Sequence, residues 1–463
     1  MKTRIERDSL GELAIPADAD YGVHTVRAAA NFPITGTLLR HYPELVTSLA
    51  MTKKAAAEAN AALGALDPRL AGAIAAGCDR LIAGENHQHF IVDMVQGGAG
   101  TSTNMNANEV IANMALRELG EERGRYDIVN PNDHVNLSQS TNDVYPTAVR
   151  LTMLRQCPEL IVSQERLISA FESKAKEFHH IIKVGRTQLM DAVPMRLGSE
   201  FHAFAVTIAE DIDRLREFSA LLREVNLGGT AIGTGINTPK DYSRIVIAKL
   251  AVISGVPLVA AGDLIEATSD MGAFVTFSGV LKRIAVKLSK ICNDLRLLNS
   301  GPRAGFGEIK LPAVQAGSSI MPGKVNPVMP EVVNQIAYQV IGNDLTVTMG
   351  AEAGQLQLNA MEPVIAFNIL QSMRMLTRGM TVLRDYCIVG IEADEERCRE
   401  LLEHSLVAVT AINPYVGYAT ASRVAKEALK SRRSIREVVL AEKLMTEEQL
   451  AKAFSTETLL GQP

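Results

Sequence analysis

The chain is poor in aromatic residues. Tryptophan is absent, and Phe and Tyr together make up 5% of the 463 residues. Strands favour aromatic and β-branched side chains, whereas this chain is dominated by Ala, Leu, Val and Met, a mixture that favours helix over sheet. The composition therefore predicts a mostly α protein.

Cysteine is also scarce. The five cysteines are Cys78, Cys157, Cys292, Cys387 and Cys398, and they contain no Cys-x-x-Cys pair. An odd, scattered set indicates buried thiols in a reducing compartment rather than disulfides or a zinc site. The nine histidines form no ligand set either. We therefore expect no metal.

The chain has no long hydrophobic run and no basic surplus. Its most apolar window, residues 245–261, is broken by Lys249, Gly255 and Pro257, whereas a membrane helix needs about 20 apolar residues. The net charge is −5, and nucleic acid demands a basic face. Residues 1–8 lack the apolar stretch of a signal peptide. We expect a cytoplasmic protein that binds neither membrane nor nucleic acid.

Two common catalytic motifs are missing. The Gly-x-Ser-x-Gly motif of serine hydrolases does not occur. The glycine-rich run at residues 97–100 is not followed by the Gly-Lys-Ser/Thr of a phosphate-binding loop. The sequence thus argues against a hydrolase of that type and against a P-loop nucleotide site.

Long apolar repeats predict a helical bundle. Two sets of apolar residues recur at steps of three, four or seven, which is typical of a bundle seam. They are Phe201, Ala205, Ile208, Ile212, Leu215 and Leu222, and Leu281, Ile284, Leu288, Ile291, Leu295 and Leu298. Helices of roughly 25–30 residues span about 40 Å. Their apolar stripes exceed what one subunit covers, so we expect the bundle to oligomerise.

The length predicts two or three domains. We assign residues 1–139 to an N-terminal domain that opens with a strand pair over residues 4–16. Residues 140–393 form the central helical-bundle domain, in which one helix is expected over residues 355–386. Short, charged helical segments after residue 392 predict a small C-terminal helical domain over residues 394–463.

Four polar clusters interrupt the apolar helices, around Thr101, Ser140, Thr187 and Ser318. We expect all four to be loops. Such clusters commonly cap helices, but four of them also suit a pocket in which uncharged donors bind a small polyanion. His134 lies between two clusters, and both an acid–base role and a structural role are open for it.

The segment from Gly317 to Pro327, Gly-Ser-Ser-Ile-Met-Pro-Gly-Lys-Val-Asn-Pro, is the most unusual of these clusters. Its glycines permit backbone angles closed to other residues, so we predict a mobile loop. The expected mobile residues are Gly317, Ile320, Met321, Pro322 and Gly323. The candidate chemical groups are the hydroxyls of Ser318 and Ser319 and the donors of Lys324 and Asn326.

This segment closely resembles the signature loop of the fumarase/aspartase superfamily, enzymes that eliminate across the Cα–Cβ bond of succinyl-type substrates. The resemblance extends over nearly the whole chain and includes residues 98–109, 138–143 and 185–187. After Pro327 the chain continues Val-Met-Pro-Glu, as aspartases do, where fumarases typically have Thr-Gln. The chain thus resembles the aspartase branch.

The resemblance implies a three-domain fold whose central five-helix bundles join four subunits. Each active site of this homotetramer would contain residues from three subunits. The implied reaction is the reversible loss of ammonia from L-aspartate, a small dicarboxylate amino acid, to give fumarate through an enediolate (aci-carboxylate) intermediate. No cofactor takes part.

The implied roles centre on Ser318, which would remove the Cβ proton as an alkoxide. Thr101, Ser140, Thr141 and Ser319 would bind the β-carboxylate, Thr187, Lys324 and Asn326 would bind the α-carboxylate, and Asn142 with Gln188 would face the amino group.

Two other functions are also considered. The first is a class II fumarate hydratase, which shares the fold and the base but handles water. Gln188 stands where fumarases and some aspartases carry histidine, and a carboxamide cannot act as acid or base. The second is a non-catalytic helical assembly protein, which would have no chemical need for Thr101, Ser318, Lys324 and Asn326.

Overall fold

The computed structural model describes residues 2–460 and confirms the mostly α prediction. The α-helices are α1 (Val23–Asn31), α2 (Pro43–Ala62), α3 (Pro68–Ile82), α4 (Thr101–Glu118), α5 (Thr141–Glu177), α6 (Leu197–Ser219), α7 (Tyr242–Ser254), α8 (Glu266–Ser269), α9 (Gly272–Leu298), α10 (Val328–Glu352), α11 (Glu362–Tyr386), α12 (Glu395–His404), α13 (Val409–Val416), α14 (Tyr418–Ser431), α15 (Ile435–Ala441), α16 (Glu447–Ala453) and α17 (Thr456–Leu459).

The strands are few and pair two by two. They are β1 (Thr3–Asp8), β2 (Gly11–Pro16), β3 (Ile182–Thr187), β4 (Met190–Arg196), β5 (Glu224–Val225), β6 (Val259–Ala260), β7 (Ile309–Lys310) and β8 (Glu392–Ala393). The pairs β1–β2, β3–β4 and β7–β8 are antiparallel, and β5–β6 is parallel. The strand pair predicted over residues 4–16 is therefore confirmed.

Five helices have 23 residues or more. They are α5 with 37 residues, α6 with 23, α9 with 27, and α10 and α11 with 25 each. All members of the two predicted apolar repeats are buried. The repeats therefore mark the buried faces of α6 and α9, as the sequence predicted, and the first continues to Leu222 in the 3-10 turn after α6.

The helix predicted from residue 355 begins later, at Glu362. The side chain of Asn359 explains the delay, because its Nδ2 donates to the carbonyls of Gly350 and Ala351 at the end of α10. Its Oδ1 accepts from the N–H of Met361. One carboxamide thus caps two helices and holds the connection between them in a turn.

The chain forms two compact units, each built from three stretches. The first comprises Met1–Ile161, Asp213–Arg283 and Tyr338–Leu376, and the second Val162–Ile212, Ile284–Ala337 and Thr377–Pro463. Each of the five long helices contributes residues to both units. The division into three domains at residues 139 and 393 stays a prediction.

Buried polar side chains connect the long helices within each unit. In the first unit, Nδ2 of Asn343 in α10 donates to the Ser372 hydroxyl in α11 at 3.0 Å. In the second unit, Nδ2 of Asn334 in α10 donates to the Ser289 hydroxyl in α9 at 2.8 Å. A buried amide that is satisfied in only one alignment fixes the register of neighbouring helices.

Helix α10 also carries an apolar stripe that faces solvent. Tyr338, Ile341, Leu345 and Met349 recur at steps of three and four, and Leu345 and Met349 are 61% and 64% exposed. Four large apolar side chains on one helix face form a patch of the kind that marks a protein–protein interface. The stripe supports the prediction that copies of the chain associate.

We predict that Leu345→Glu weakens this association, because it places a charge on a surface that a second copy would desolvate. Light scattering should show a particle mass lower than wild type and closer to the single chain of 50.0 kDa. Leu10→Glu is the control, since Leu10 is 78% exposed but lies in the β1–β2 turn, away from the stripe. An unchanged mass for Leu345→Glu would contradict the prediction.

Candidate active site

In the first unit, helices α4 and α5 begin in contact with each other. Gly100, with φ +91°, directly precedes α4, and a Cβ atom there would lie 2.5 Å from Cγ of Tyr145 in α5. Only glycine fits both the left-handed backbone and this close approach. The cluster around Thr101 was expected to be a loop, which is wrong for Thr101 itself: it is the first residue of α4.

Four predicted site residues lie at these two helix starts. The hydroxyl of Thr101 donates to the carbonyl of Gly98 at 2.7 Å. Asn104, one turn further along α4, donates from Nδ2 to the Thr141 hydroxyl at 3.2 Å. The Ser140 hydroxyl accepts from the Asn142 N–H at 3.2 Å. The structure therefore brings Thr101, Ser140, Thr141 and Asn142 together.

Asp143 holds the start of α5 in place. Its carboxylate is fully buried, and Oδ1 accepts from the Ser140 N–H at 2.9 Å. Oδ2 accepts from the N–H groups of Gly228 and Thr230, both at 3.0 Å. Burial raises the pKa of Asp143 to about 6, because the charged form loses its hydration. The side chain fixes the backbone that presents the proposed ligands.

A buried lysine supports the same region, and sequence reasoning missed it. Nζ of Lys53 in α2 donates at 2.8 Å to Oδ1 of Asn136, which also accepts from Nδ2 of Asn104 at 3.1 Å. Burial lowers the pKa of Lys53 to about 7. Its position on an alanine-rich face of α2 is the only sequence signal that could have revealed it.

The cluster around Thr187 was also expected to be a loop, and this too is wrong. Residues 182–187 form β3 and pair with β4 in a hairpin. The turn consists of Gln188 and Leu189, whose φ angles are 55° and 63°. Two-residue hairpin turns need positive φ because only this twist matches the strands. Thr187 and Gln188 are exposed at the tip.

The signature loop closes on its own backbone. The Gly317 N–H donates to the carbonyl of Lys324 at 2.9 Å, and Nδ2 of Asn326 donates to the carbonyl of Gly317 at 2.6 Å. A Cβ atom at residue 317 would lie 2.3 Å from the Lys324 oxygen, so only glycine allows the closure. Ser319 and Lys324 are exposed on the loop.

The hydroxyl of Ser318 points into this loop. Its oxygen accepts from the N–H of Met321 at 2.9 Å and from the N–H of Ile320 at 3.2 Å. Two amides directed at one oxygen stabilise negative charge on it. Among residues 2–460, no hydrogen bond joins this loop to Thr187 or to the Gln188–Leu189 turn of the same unit.

His134 has a local hydrogen-bond partner. Nδ1 of His134 accepts from the N–H of Asn130 at 2.9 Å, which favours a structural role. Within the described residues no group of three or more His, Cys, Asp or Glu side chains could hold a metal ion. In the same part of the chain, no helix is long and apolar enough to cross a membrane.

We predict that Asp143→Asn lowers the free energy of unfolding by about 1–3 kcal/mol, the cost of a buried group left unsatisfied. Whichever way the new amide faces, its NH₂ group meets at least one of the three backbone donors. Urea denaturation followed by circular dichroism measures the change. The control is Asp133→Asn, because Asp133 is exposed. Equal stability of both variants would contradict this account of Asp143.

Comparison with protein families places these features in a known group. A family model described as lyase matches residues 11–342, and a model of the fumarase C C-terminus matches residues 409–461. The chain is 60% identical over 460 residues to an aspartate ammonia-lyase from Pseudomonas aeruginosa, covering 99% of this chain and 97% of that one. It is 53% identical to the aspartate ammonia-lyase of Escherichia coli, covering 99% and 96%.

Solved structures agree. A fumarate lyase:delta crystallin from Brucella melitensis bound to cobalt superposes with a TM-score of 0.94 at 59% identity and 98% coverage of both chains. A class II fumarase from Schistosoma mansoni superposes with a TM-score of 0.90 at 33% identity, covering 98% of this chain and 99% of the fumarase. Both share the long-helix fold described above. The chain therefore belongs to the fumarase/aspartase superfamily of lyases.

Proposed function

We propose that the chain catalyses the reversible deamination of L-aspartate to fumarate and ammonia. The observation that carries the proposal is the pair of backbone amides directed at the Ser318 hydroxyl oxygen, at 2.9 and 3.2 Å. The named relatives at 53–60% identity are aspartate ammonia-lyases, which favours ammonia over water as the leaving group.

The chemical difficulty lies in the Cβ–H bond. The proton next to a carboxylate is very weakly acidic, and its removal creates an aci-carboxylate with two negative charges. A free serine is a poor base, but the two amides favour its alkoxide form once water is excluded. Ser318 then takes the proton from Cβ, and the electron pair moves into the β-carboxylate. The pair returns to form the Cα–Cβ double bond of fumarate as the Cα–N bond breaks and ammonia leaves.

Neutral donors would stabilise the charge that develops. We assign the β-carboxylate to Thr101, Ser140, Thr141 and Ser319. The starts of α4 and α5 add the partial positive charge of two helix termini to this group. Donors fixed by Asp143 and Asn104 need no reorganisation during the reaction, which is what makes such stabilisation effective.

The α-carboxylate and the amino group would meet the remaining residues. We assign the α-carboxylate to Thr187, Lys324 and Asn326, and the amino group to Asn142 and Gln188. In support, Lys324 has no ion-pair partner among residues 2–460 and is exposed on the loop. Gln188 can donate and accept hydrogen bonds but cannot transfer a proton at neutral pH, so ammonia leaves without help from this side chain.

Assembly of copies would complete the site. We propose a homotetramer in which each active site takes residues from three subunits, supported by the exposed α10 stripe. The residues fall into three groups: the α4–α5 helix starts, the hairpin turn and the signature loop. If each group comes from a different copy, then a dissociated chain has no complete site. In Leu345→Glu, turnover should therefore fall together with the particle mass measured by light scattering.

The proposed reaction predicts a clear substrate preference. Formation of fumarate, followed by its ultraviolet absorbance, should proceed with L-aspartate and be slower by orders of magnitude with L-malate. The carboxamide of Gln188 cannot act as the acid or base that the loss of water requires. The reverse assay with fumarate and ammonium is the matched control. A preference for L-malate would identify a fumarate hydratase instead, and turnover of neither would favour a non-catalytic assembly protein.

The assignment of Ser318 predicts the effect of its removal. Ser318→Ala should lower kcat on the order of a thousandfold or more, since it deletes the base, while the particle mass stays that of wild type. Ser173→Ala is the control, because Ser173 is an exposed serine in α5. Near-normal turnover by Ser318→Ala would rule out this residue as the base.

A further inference from the structure

The tip of the β3–β4 hairpin has little support of its own. Residues 187–190 are all exposed, and no hydrogen bond of the Thr187 or Gln188 side chain occurs within residues 2–460. The two turn residues, Gln188 and Leu189, have positive φ, which residues other than Gly, Asn and Asp rarely adopt. A turn that binds a substrate carboxylate has to be held in position, so the residues next to the turn decide how firmly it is held.

Arg186 is the last charged residue before the turn, and it is firmly held. Its Nη1 lies 2.8 Å from Oε1 of Glu308. Its guanidinium carbon lies 4.1 Å from the centroid of the Phe306 ring, a cation–π contact. Glu308 is fully buried, so water screens this ion pair little. The guanidinium of Arg186 is therefore held by an ion pair with Glu308 and by stacking on the Phe306 ring.

Glu308 is itself fixed by its backbone. Its N–H donates to the carbonyl of Leu298 at 3.0 Å, and its carbonyl accepts from the N–H of Asp394 at 2.9 Å. Arg397 donates to the carbonyl of Phe306 at 3.0 Å. The carboxylate thus extends from a rigid segment, and the hairpin is the partner that depends on it.

The geometry of β3 is adapted to this contact. Nζ of Lys183 lies 2.9 Å from Oε2 of Glu308, although residues three apart in a regular strand face opposite sides. A register shift between Val184 and Arg186 brings both cations to one carboxylate. The shift requires Gly185, where a Cβ atom would lie 2.7 Å from a backbone oxygen of β4.

We propose that Glu308 is a positioning residue for the substrate. Through Arg186 it fixes Thr187 and the Gln188–Leu189 turn that follows, and so sets the affinity for the carboxylate that Thr187 binds. The inference rests on the proposed function, which assigns the α-carboxylate to Thr187. Lys183 contributes by neutralising the second oxygen of Glu308, and it has its own partner in Glu200, 2.7 Å away.

The test compares two matched variants. Glu308→Gln and Glu200→Gln each remove one carboxylate from Lys183, but only Glu308 contacts Arg186. Glu308→Gln should raise KM for L-aspartate about tenfold or more with a much smaller change in kcat, as expected when binding is lost equally in the ground and transition states. Glu200→Gln should leave KM near wild type. Equal effects in the two variants would overturn the proposal.

Coupling to Thr187 separates positioning from general support. In a double-mutant cycle, the effect of Glu308→Gln on KM should largely disappear when Thr187→Val is already present, because both substitutions act on the same substrate contact. Fully multiplicative effects would refute the proposal. Arg186→Lys is a second route should Glu308→Gln not fold: it keeps the charge but loses the forked, stacked geometry, and it should raise KM in the same way.

A measurement without substrate tests the anchor independently of the proposed function. Hydrogen–deuterium exchange of the peptide covering residues 184–192 should be faster in Glu308→Gln than in Glu200→Gln. The turn opens more often when the ion pair between Arg186 and Glu308 is lost. Identical exchange would overturn the anchor. If wild type converts neither L-aspartate nor L-malate, the proposed function fails, while the exchange result still decides whether Glu308 fixes the turn.

Discussion

A negative charge held away from water needs donors that are already in position, and this requirement governs the protein from its core to its site. Asp143 meets three backbone N–H groups, and Glu308 meets a lysine and an arginine. The proposed reaction creates a third such charge, the aci-carboxylate, which lasts only for an instant. In the mechanism we propose, Asp143 holds the donors that this transient charge needs, whereas Glu308 holds the residues assigned to the α-carboxylate.

The fold was largely predictable from the sequence, because apolar periodicity reports directly on helix faces. The repeats in α6 and α9 are buried as predicted, and the β1–β2 pair forms where expected. The error at Thr187 has a specific cause. The partner strand β4 contains Pro194 and lacks regular alternation, so nothing local indicates a hairpin, and only pairing across the turn reveals it.

The site was predictable to a different degree. The hydroxyl, lysine and carboxamide positions follow from motifs whose chemistry is visible in the letters themselves. The supporting groups do not, since Lys53 and Glu308 act on partners far away in the chain. A buried charge has no local pattern: its partner can be any residue that the fold brings near. Motifs therefore indicate the candidate reactive groups, whereas only the three-dimensional structure shows which residues hold those groups in position.

The interleaving of the two compact units has a consequence for how the protein can be divided. Because each unit is assembled from three separated stretches, no single cut in the gene yields either unit as a contiguous fragment. Each of the five boundaries between the stretches falls within one of the long helices. Neither unit can therefore be expressed alone as one continuous piece of the natural polypeptide.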